Sequence, residues 1–449
     1  MALENRSAPK LPGRWLPLFL DGAYLGGAAL AAPVLAARGK WGRAWESVRR
    51  RSGAVETVPS GGPTLWLHSV SVGEILSARR FVARFSELYP HWTLVLSAST
   101  RTGLETARRA YPGKTVISFP LDLSCFVRRA FERVRPDMVA IVEHDFWPNF
   151  LWRAAKLGVP IAIVNGRISD ASFRGYRKIA PVFRGLLGQI AVACAQDEAS
   201  AARLRALGVP ADRVRVTGNV KFDNVPEREP GMRERLGIGP EEWVLVGAST
   251  HPGEEAILLD VFDSLRADAA PGGTARLVLV PRRPERAEEV LRLLAERGHR
   301  AVRWSDLRGV GKPPEGPPVI LVDTVGDLDR ISSAADLVFV GGSLVPFGGH
   351  NVMAPAGMGL PVAIGPHHES FASDVAAFAE REAIAVVRDP GDLARVAREF
   401  RADPERAWAL GERARGLVRE LGGASDRALE ALEPLLRSLE ARSRAEPRP

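Results

Sequence analysis

The sequence predicts an α/β protein: two Rossmann-like, doubly wound domains facing each other across a cleft, behind an N-terminal membrane-anchor helix. Three observations carry this. Short β-branched and aromatic runs alternate with amphipathic stretches at helical spacing, the rhythm of a parallel sheet covered on both faces. That rhythm runs twice, interrupted around Asn224–Pro230 by proline and charge. Residues 15–37 form an apolar run of membrane-crossing length in which only Asp21 is charged.

Arg38, Lys40, Arg43, Arg49, Arg50 and Arg51 follow that run, a basic flank that places the rest of the chain on the cytoplasmic side. Trp15, Tyr24 and Trp41 suit the headgroup level. The glycine and alanine content and Asp21 equally allow a helix that lies in the interface. A cleaved signal peptide is not the reading, because no cleavage site leads into an exported, cysteine-bearing domain. The expected division is residues 1–50 as anchor and basic linker, 51–226 as the first domain, 227–425 as the second and 426–449 as a helix and charged tail.

In the first domain, strands are expected at Thr64–His68, Thr93–Leu96, Thr115–Ser118, Met138–Val142, Ile161–Val164, Ile190–Ala195 and Val214–Thr217. Helices are expected from Gly73 to Leu88, over Leu104–Ala110 and over Phe126–Val134. The second domain offers strands at Trp243–Gly247, Ala275–Val280, Val319–Val322, Leu337–Val340 and Pro361–Ile364. An amphipathic helix at Ala428–Leu439 and an Arg/Pro tail predicted to be disordered end the chain.

With 449 residues, 46% of them hydrophobic, two or three full cores can form. Two cysteines, Cys125 and Cys194 in apolar sequence surroundings, give neither a disulfide framework nor metal-ligand spacing. The sequence therefore predicts a reducing compartment, no metal and no cofactor. The net charge of +8 calls for an anionic partner. Nucleic acid is not expected, since the arginines are not interleaved with aromatics on one stripe.

Ligands of open α/β sheets bind beyond the carboxyl ends of the strands. In the second domain the strand Leu337–Val340 stops at Gly341, Gly342 and Ser343, and Gly348, Gly349, His350 and Asn351 follow. Glycines there let backbone N–H groups approach a phosphate, and Pro355 marks a possible helix start whose dipole would face an anion. Two ordinary glycine turns would look the same. Ser249, Thr250 and His251 end another strand, Pro281, Arg282, Arg283 and Arg286 form a cationic turn, and Val325, Gly326 and Asp327 follow a third. No GxGxxG follows the first strand of either domain, which disfavours a hydride-transfer enzyme.

In the first domain Ser71, Gly73 and Glu74 follow the first strand, Thr100 the second, Glu143, His144 and Asp145 the fourth, and Asn165 and Arg167 the fifth. Glu74 lies three residues after Ser71, the spacing of a capping box and also of a carboxylate aimed as a general base. Spacing alone does not choose between them. Caps do not explain Glu143, His144, Trp147 and Arg167 together.

These residues resemble those of the 3-deoxy-D-manno-octulosonic acid (Kdo) transferases, inverting glycosyltransferases of the GT-B type. The resemblance rests on HSVSVGE at 68–74, EHDFWPN at 143–149, NGRIS at 165–169, TGNVKFD at 217–223, STHPGEE at 249–255, DTVGDL at 323–328 and VGGSLVPFGGHN at 340–351. It implies transfer of Kdo from CMP-Kdo to the lipid A precursor at the cytoplasmic face of the inner membrane, without a required metal. It implies Glu74 as the catalytic base and Glu143 and Lys221 as transition-state support. It places Pro281, Arg282, Val325 to Asp327 and Asn351 to Ala354 on the nucleotide-contacting segments.

Departures from the resemblance are Ala354, Asp327 and Asp145 where glutamates are usual, and Arg283 where a histidine is usual. Ala354 offers no carboxylate to a ribose. Two further readings therefore stand beside the first: a GT-B enzyme for another nucleotide-activated sugar acid, and a non-catalytic membrane-bound paralogue.

Overall fold

Runs of valine, isoleucine and leucine that are apolar on both faces become parallel strands covered by helices. The computed structural model describes residues 11–58, 61–178, 180–267, 274–308 and 319–445. It comprises two units, Met1–Asn224 with Gly422–Pro449, and Val225–Leu421.

The first unit holds β1 (Thr64–Ser69), β2 (Thr93–Ala98), β3 (Thr115–Ser118), β4 (Met138–Val142), β5 (Ile161–Gly166), β6 (Ile190–Ala195) and β7 (Val214–Val216). They pair in parallel in the order β3-β2-β1-β4-β5-β6-β7, with Leu65 opposite Leu94 on one side and Met138 on the other. The order reverses between β1 and β4, so the crevice of this sheet opens at their carboxyl ends. Alternation along β1 sends Trp66 to one face and Leu65 and Leu67 to the other, each into its own buried cluster.

Among the described residues seven helices precede β5: α1 (Trp15–Ala37), α2 (Trp41–Arg50), α3 (Val72–Ser77), α4 (Arg79–Leu88), α5 (Arg101–Ala110), α6 (Ser124–Val134) and α7 (Pro148–Lys156). The single helix expected from Gly73 to Leu88 is two. It breaks at Ala78 (φ −79°, ψ 0°), where the Ser77 hydroxyl donates to the Glu74 carbonyl at 2.8 Å. Cys125, expected in apolar surroundings, is exposed on the first turn of α6, while Cys194 is buried.

The C-terminal helix is longer than its apolar stripe suggested, running Ala424–Ala445. It returns to the first unit, where Leu429, Leu432, Leu436 and Leu439 join the cluster under β1 and β4. The Asp223 carboxylate receives the N–H groups of Ala424 and Ser425 at 3.1 and 2.6 Å and fixes its start. Residues 446–449 of the tail lie outside the described residues.

The second unit holds β8 (Trp243–Thr250), β9 (Ala275–Pro281), β10 (Ala301–Arg303), β11 (Val319–Leu321), β12 (Leu337–Val340), β13 (Val362–Ile364) and β14 (Ala385–Val386). Their parallel order is β10-β11-β9-β8-β12-β13-β14, reversing between β8 and β12. The edge strands β10 and β14, of three and two residues, were not anticipated: such short runs carry no periodicity.

Candidate active site

In the first unit the reversal point brings Glu74, which follows β1, beside Glu143, which follows β4. Ser71 caps α3, its Oγ accepting the Glu74 N–H at 3.3 Å, and Glu74 reaches back. One carboxylate oxygen accepts the Val70 N–H and the other the Ser71 hydroxyl, both at 2.7 Å. The Ser71–Glu74 spacing is thus a capping box, and its geometry fixes the orientation of the carboxylate. Above it Gly73 is exposed, and a Cβ there would meet only the Ser71 Oγ, at 3.9 Å, so a ligand has room to approach.

Burial raises the Glu74 pKa, and the Glu143 charge adds to the rise against the hydrogen bonds from Val70 and Ser71. Asp145 joins the cluster: burial, then the charges of Glu74 and Glu143, push it up to about 7. Burial lowers the His144 pKa and the Arg167 charge lowers it further, against an opposite pull from Glu74. Three carboxyls, an imidazole and a guanidinium therefore share one strand-end crevice. The shifts of Glu74, Asp145 and His144 within it mark the crevice as a candidate site.

Backbone strain marks the same place. Glu143 and Asn165 hold φ of 65° and 60°, sparsely occupied for residues with a Cβ. Asn165 is fully buried at the end of β5, and its Oδ1 accepts the Val220 N–H at 3.1 Å. That bond places the 3₁₀ turn Val220–Asp223, and with it Lys221, on this side of the sheet. Thr100 accepts the Gly103 N–H at 3.0 Å as the cap of α5, a structural role. His68 is a core residue, fully buried and stacked on Phe119 with ring centroids 3.6 Å apart, its pKa pushed down to about 3 chiefly by burial. Tyr176, which had no sequence signal, donates its hydroxyl to the His144 carbonyl at 3.1 Å.

In the second unit the ends of β8 and β12 carry the polar groups. The glycine stretch differs from a phosphate cradle in one respect. The N–H groups of Gly342, Ser343 and Leu344 donate to the buried Glu254 carboxylate at 2.7, 3.0 and 3.0 Å, and His251 N–H adds a fourth bond at 3.0 Å. The anion held by this loop is therefore the protein's own. Gly341 has no room for a side chain, since a Cβ would lie 2.6 Å from the Ser249 carbonyl oxygen. Ser249 itself sits at φ 58°, another strained residue with a Cβ at a strand end.

What this loop presents is a histidine pair. His251 and His350 meet Nε2 to Nε2 at 2.9 Å, with Phe347 stacked on His251 at 4.2 Å. Burial, then the His251 and Arg282 charges, push His350 down to about 4, so the pair stays neutral at physiological pH beside a guanidinium. Of the cationic turn, Arg286 is bound through two nitrogens to Glu255, which also accepts the Thr250 hydroxyl at 2.7 Å. Arg282 and Arg283 are exposed and form no ion pair among the described residues. Pro281 ends β9 and the Arg282 N–H is bonded to the Thr250 carbonyl at 3.0 Å, which fixes where that guanidinium begins.

Asp327 is buried and paired with Arg308 at 3.1 Å and Arg330 at 3.4 Å, so it shapes its turn. The turn then presents Val325, 85% exposed, and Gly326 at φ 92°. Asn351 is exposed and its Oδ1 accepts the Met353 N–H at 2.9 Å. The helix expected near Pro355 begins earlier, at Met353, and runs only to Gly357. Five residues add up to little dipole, so its attraction for an anion is weak. Gly349, at φ 74°, is a turn requirement, since a Cβ would lie 3.1 Å from the His368 backbone.

Two doubly wound parallel sheets in series, each with its polar groups at the point where strand order reverses, form a GT-B-like fold. The fold is similar to UDP-GlcNAc 2-epimerase from Neisseria meningitidis, with a TM-score of 0.55 at 14% identity over 83% of this chain and 100% of that one. Residues 46–224 match the family described as 3-Deoxy-D-manno-octulosonic-acid transferase (kdotransferase). The 3-deoxy-D-manno-octulosonic acid transferase of Haemophilus influenzae is 32% identical over 83% of this chain and 87% of its own length. That of Bordetella pertussis is 32% identical over 86% and 90%. The chain belongs to the 3-deoxy-D-manno-octulosonic acid transferase family.

Proposed function

We propose that the protein transfers Kdo from CMP-Kdo to a hydroxyl of the lipid A precursor, with inversion, at the cytoplasmic face of the inner membrane. The observation that carries this is Glu74: a carboxylate oriented by Val70 and Ser71 and shifted towards neutrality by burial and Glu143. In that environment it takes the acceptor proton as the hydroxyl attacks the anomeric carbon. Lys221 and Glu143 bracket the developing charge, and Arg282 with the neutral histidine pair receives the departing CMP phosphate, the electrostatic contribution that is usually largest. Pro281, Val325, Gly326, Asp327, the glycine loop and Asn351 shape the nucleotide pocket of the second unit, where Ser249, Thr250 and His251 hold the strand end beside that loop; in the first unit Ser71, Gly73 and Arg167 stand near Glu74 and His144, and Thr100 and Asn165 fix the surrounding turns. The apolar helix α1 and its basic flank hold the enzyme where a phosphorylated lipid acceptor lies.

Mass spectrometry of lipid A precursor incubated with protein and freshly generated CMP-Kdo tests this. A product heavier by one or more Kdo units, absent with Glu74→Gln, is the expected result. Full transfer by a folded Glu74→Gln protein would refute the base assignment. Ala354, half-buried in the helix Met353–Gly357, favours one second reading, a different nucleotide-activated sugar acid as donor. No mass shift with CMP-Kdo, restored by Ala354→Glu, would establish it.

A further inference from the structure

Six large apolar side chains of α1 face outward: Trp15, Leu18, Phe19, Leu25, Leu30 and Val34 are each 51% to 81% exposed. A row of that kind is a surface for lipid. The first turns of the helix are nevertheless tied to the protein. Leu16 is fully buried, the Asp21 carboxylate accepts the Ser124 N–H at 2.9 Å and the Asn149 amide at 3.1 Å and binds the Ser124 hydroxyl, and the Tyr24 hydroxyl donates to Asp122 at 3.2 Å. Beyond this latch, Leu25 to Ala37 supplies about 20 Å of helix at ~1.5 Å per residue. That is short of the ~30 Å hydrocarbon core. A latched α1 reaches into one leaflet.

At the foot of the latched helix lies a pocket of about 470 Å³ between α1, α6 and α7. Its walls include Arg14 and Leu18, Arg128 of α6, and Trp152, Arg153 and Lys156 of α7. Four cations converge there. Glu132, 59% exposed, lies 3.9 and 3.8 Å from Arg128 and Arg153, too loose to neutralise the set, and the Asp21 carboxylate is engaged by Ser124 and Asn149 of the same wall. Lys156 lies 4.9 Å over the Trp152 ring, and the Trp152 indole N–H donates to the Pro12 carbonyl at 2.9 Å, so the apolar wall is fixed. Cations beside Leu18 and Trp152 match a phosphate that continues into an acyl chain.

We propose that this pocket binds the phosphate headgroup of an anionic bilayer lipid and so seats α1 in one leaflet. The proposal rests on the reading of α1 as a membrane anchor. It is tested with full-length protein and vesicles of phosphatidylcholine with and without phosphatidylglycerol, which is neither donor nor acceptor, so the result is independent of the transferase reading. Phosphatidylglycerol is expected to tighten binding. The triple variant Arg128→Gln, Arg153→Gln, Lys156→Gln is expected to lose on the order of 100-fold of that tightening, given about 1 kcal/mol per cation at an anionic surface.

Arg38→Gln, Lys40→Gln, Arg49→Gln changes the charge equally outside the pocket and is expected to lose less. Native mass spectrometry should retain one phosphatidylglycerol per chain for wild type and this control and none for the pocket variant. Arg128→Lys with Arg153→Lys should keep binding, which separates a lost site from a damaged fold. Equal losses in the two triple variants, or no preference for phosphatidylglycerol in the wild type, would overturn the headgroup site. No binding to any vesicle would overturn the anchor itself.

Discussion

Glu74 closes the capping box of α3 and is the proposed general base, and its titration separates the two roles. A general base works deprotonated, and burial followed by Glu143 raises its pKa. The acidic limb of kcat/KM is therefore expected above the ordinary carboxylate range, and Glu143→Gln should move it to lower pH. Glu74→Gln should cost about 10²- to 10⁴-fold in kcat, read by product mass. Asp145 makes a separate prediction about stability. Its folded pKa of about 7 lies above the ordinary aspartate value of 3.8, so the native state binds that proton more tightly. The resulting stability is present below the unfolded value and lost as pH rises through about 7. Asp145→Asn should raise Tm at pH above 8, by about 2–4 °C for each kcal/mol recovered, and change little in acid. An equal Tm difference at both ends of the pH range would contradict it. At this scale the sequence motifs brought Glu74, Glu143, His144 and Asp145 into one candidate site but could not sort which of their residues are core and which face it. His68 opens a functional motif and is a neutral core residue, because only its stacking on Phe119 reveals the burial.

Among elements, the glycine loop after β12 depends on one carboxylate from the helix Glu254–Ala267. Glu254 is fully buried and accepts four N–H groups, three of them 88 to 90 residues away in sequence. Replacing it with glutamine turns an amide N–H donor towards those N–H groups in place of one acceptor oxygen, so Glu254→Gln should cost about 2–4 kcal/mol of stability. Isothermal titration with CMP should show weakened binding as the histidine pair shifts, and unchanged affinity with unchanged Tm would disprove the loop's dependence. Asn165 plays the corresponding part for Lys221, from 55 residues away. Asn165→Gly keeps the φ of 60° accessible but removes the bond to Val220, so kcat should fall with little change in strain, whereas Asn165→Ala should lose stability as well. These dependences explain what was legible. Strands of the sheet interiors and glycine runs are local signals, and they were readable at nearly their observed bounds. Contacts spanning tens of residues leave no spacing pattern, so the phosphate cradle read from Gly341 to Ser343 was an inference from glycine alone, without its partner Glu254.

At the scale of the whole molecule, the first unit is discontinuous in sequence: its last helix arrives after the entire second unit. An amphipathic stripe near a charged tail does not say which core it serves. The structure answers through Leu429, Leu432, Leu436 and Leu439, all 8% exposed or less, and through Arg427, whose Nε donates to the Thr217 carbonyl at 2.8 Å. Because Asp223 fixes the start of this helix two residues after Lys221, the helix also holds the turn that carries a proposed catalytic group. Leu432→Ala should thus remove about 2–5 kcal/mol from the first unit, as large-to-small changes at fully buried leucines do. Calorimetry of the full chain should show one transition moving down by several degrees while the other keeps its position. Adding CMP, which the second unit is proposed to bind, should raise only the transition that Leu432→Ala leaves in place. Transitions that move together in both experiments would refute the assignment of the helix to the first unit alone. Truncation after Leu421 is the stronger form of the same test: it uncovers four buried leucines and frees Asp223, so the first transition should vanish, and kcat with it, while CMP still stabilises what remains.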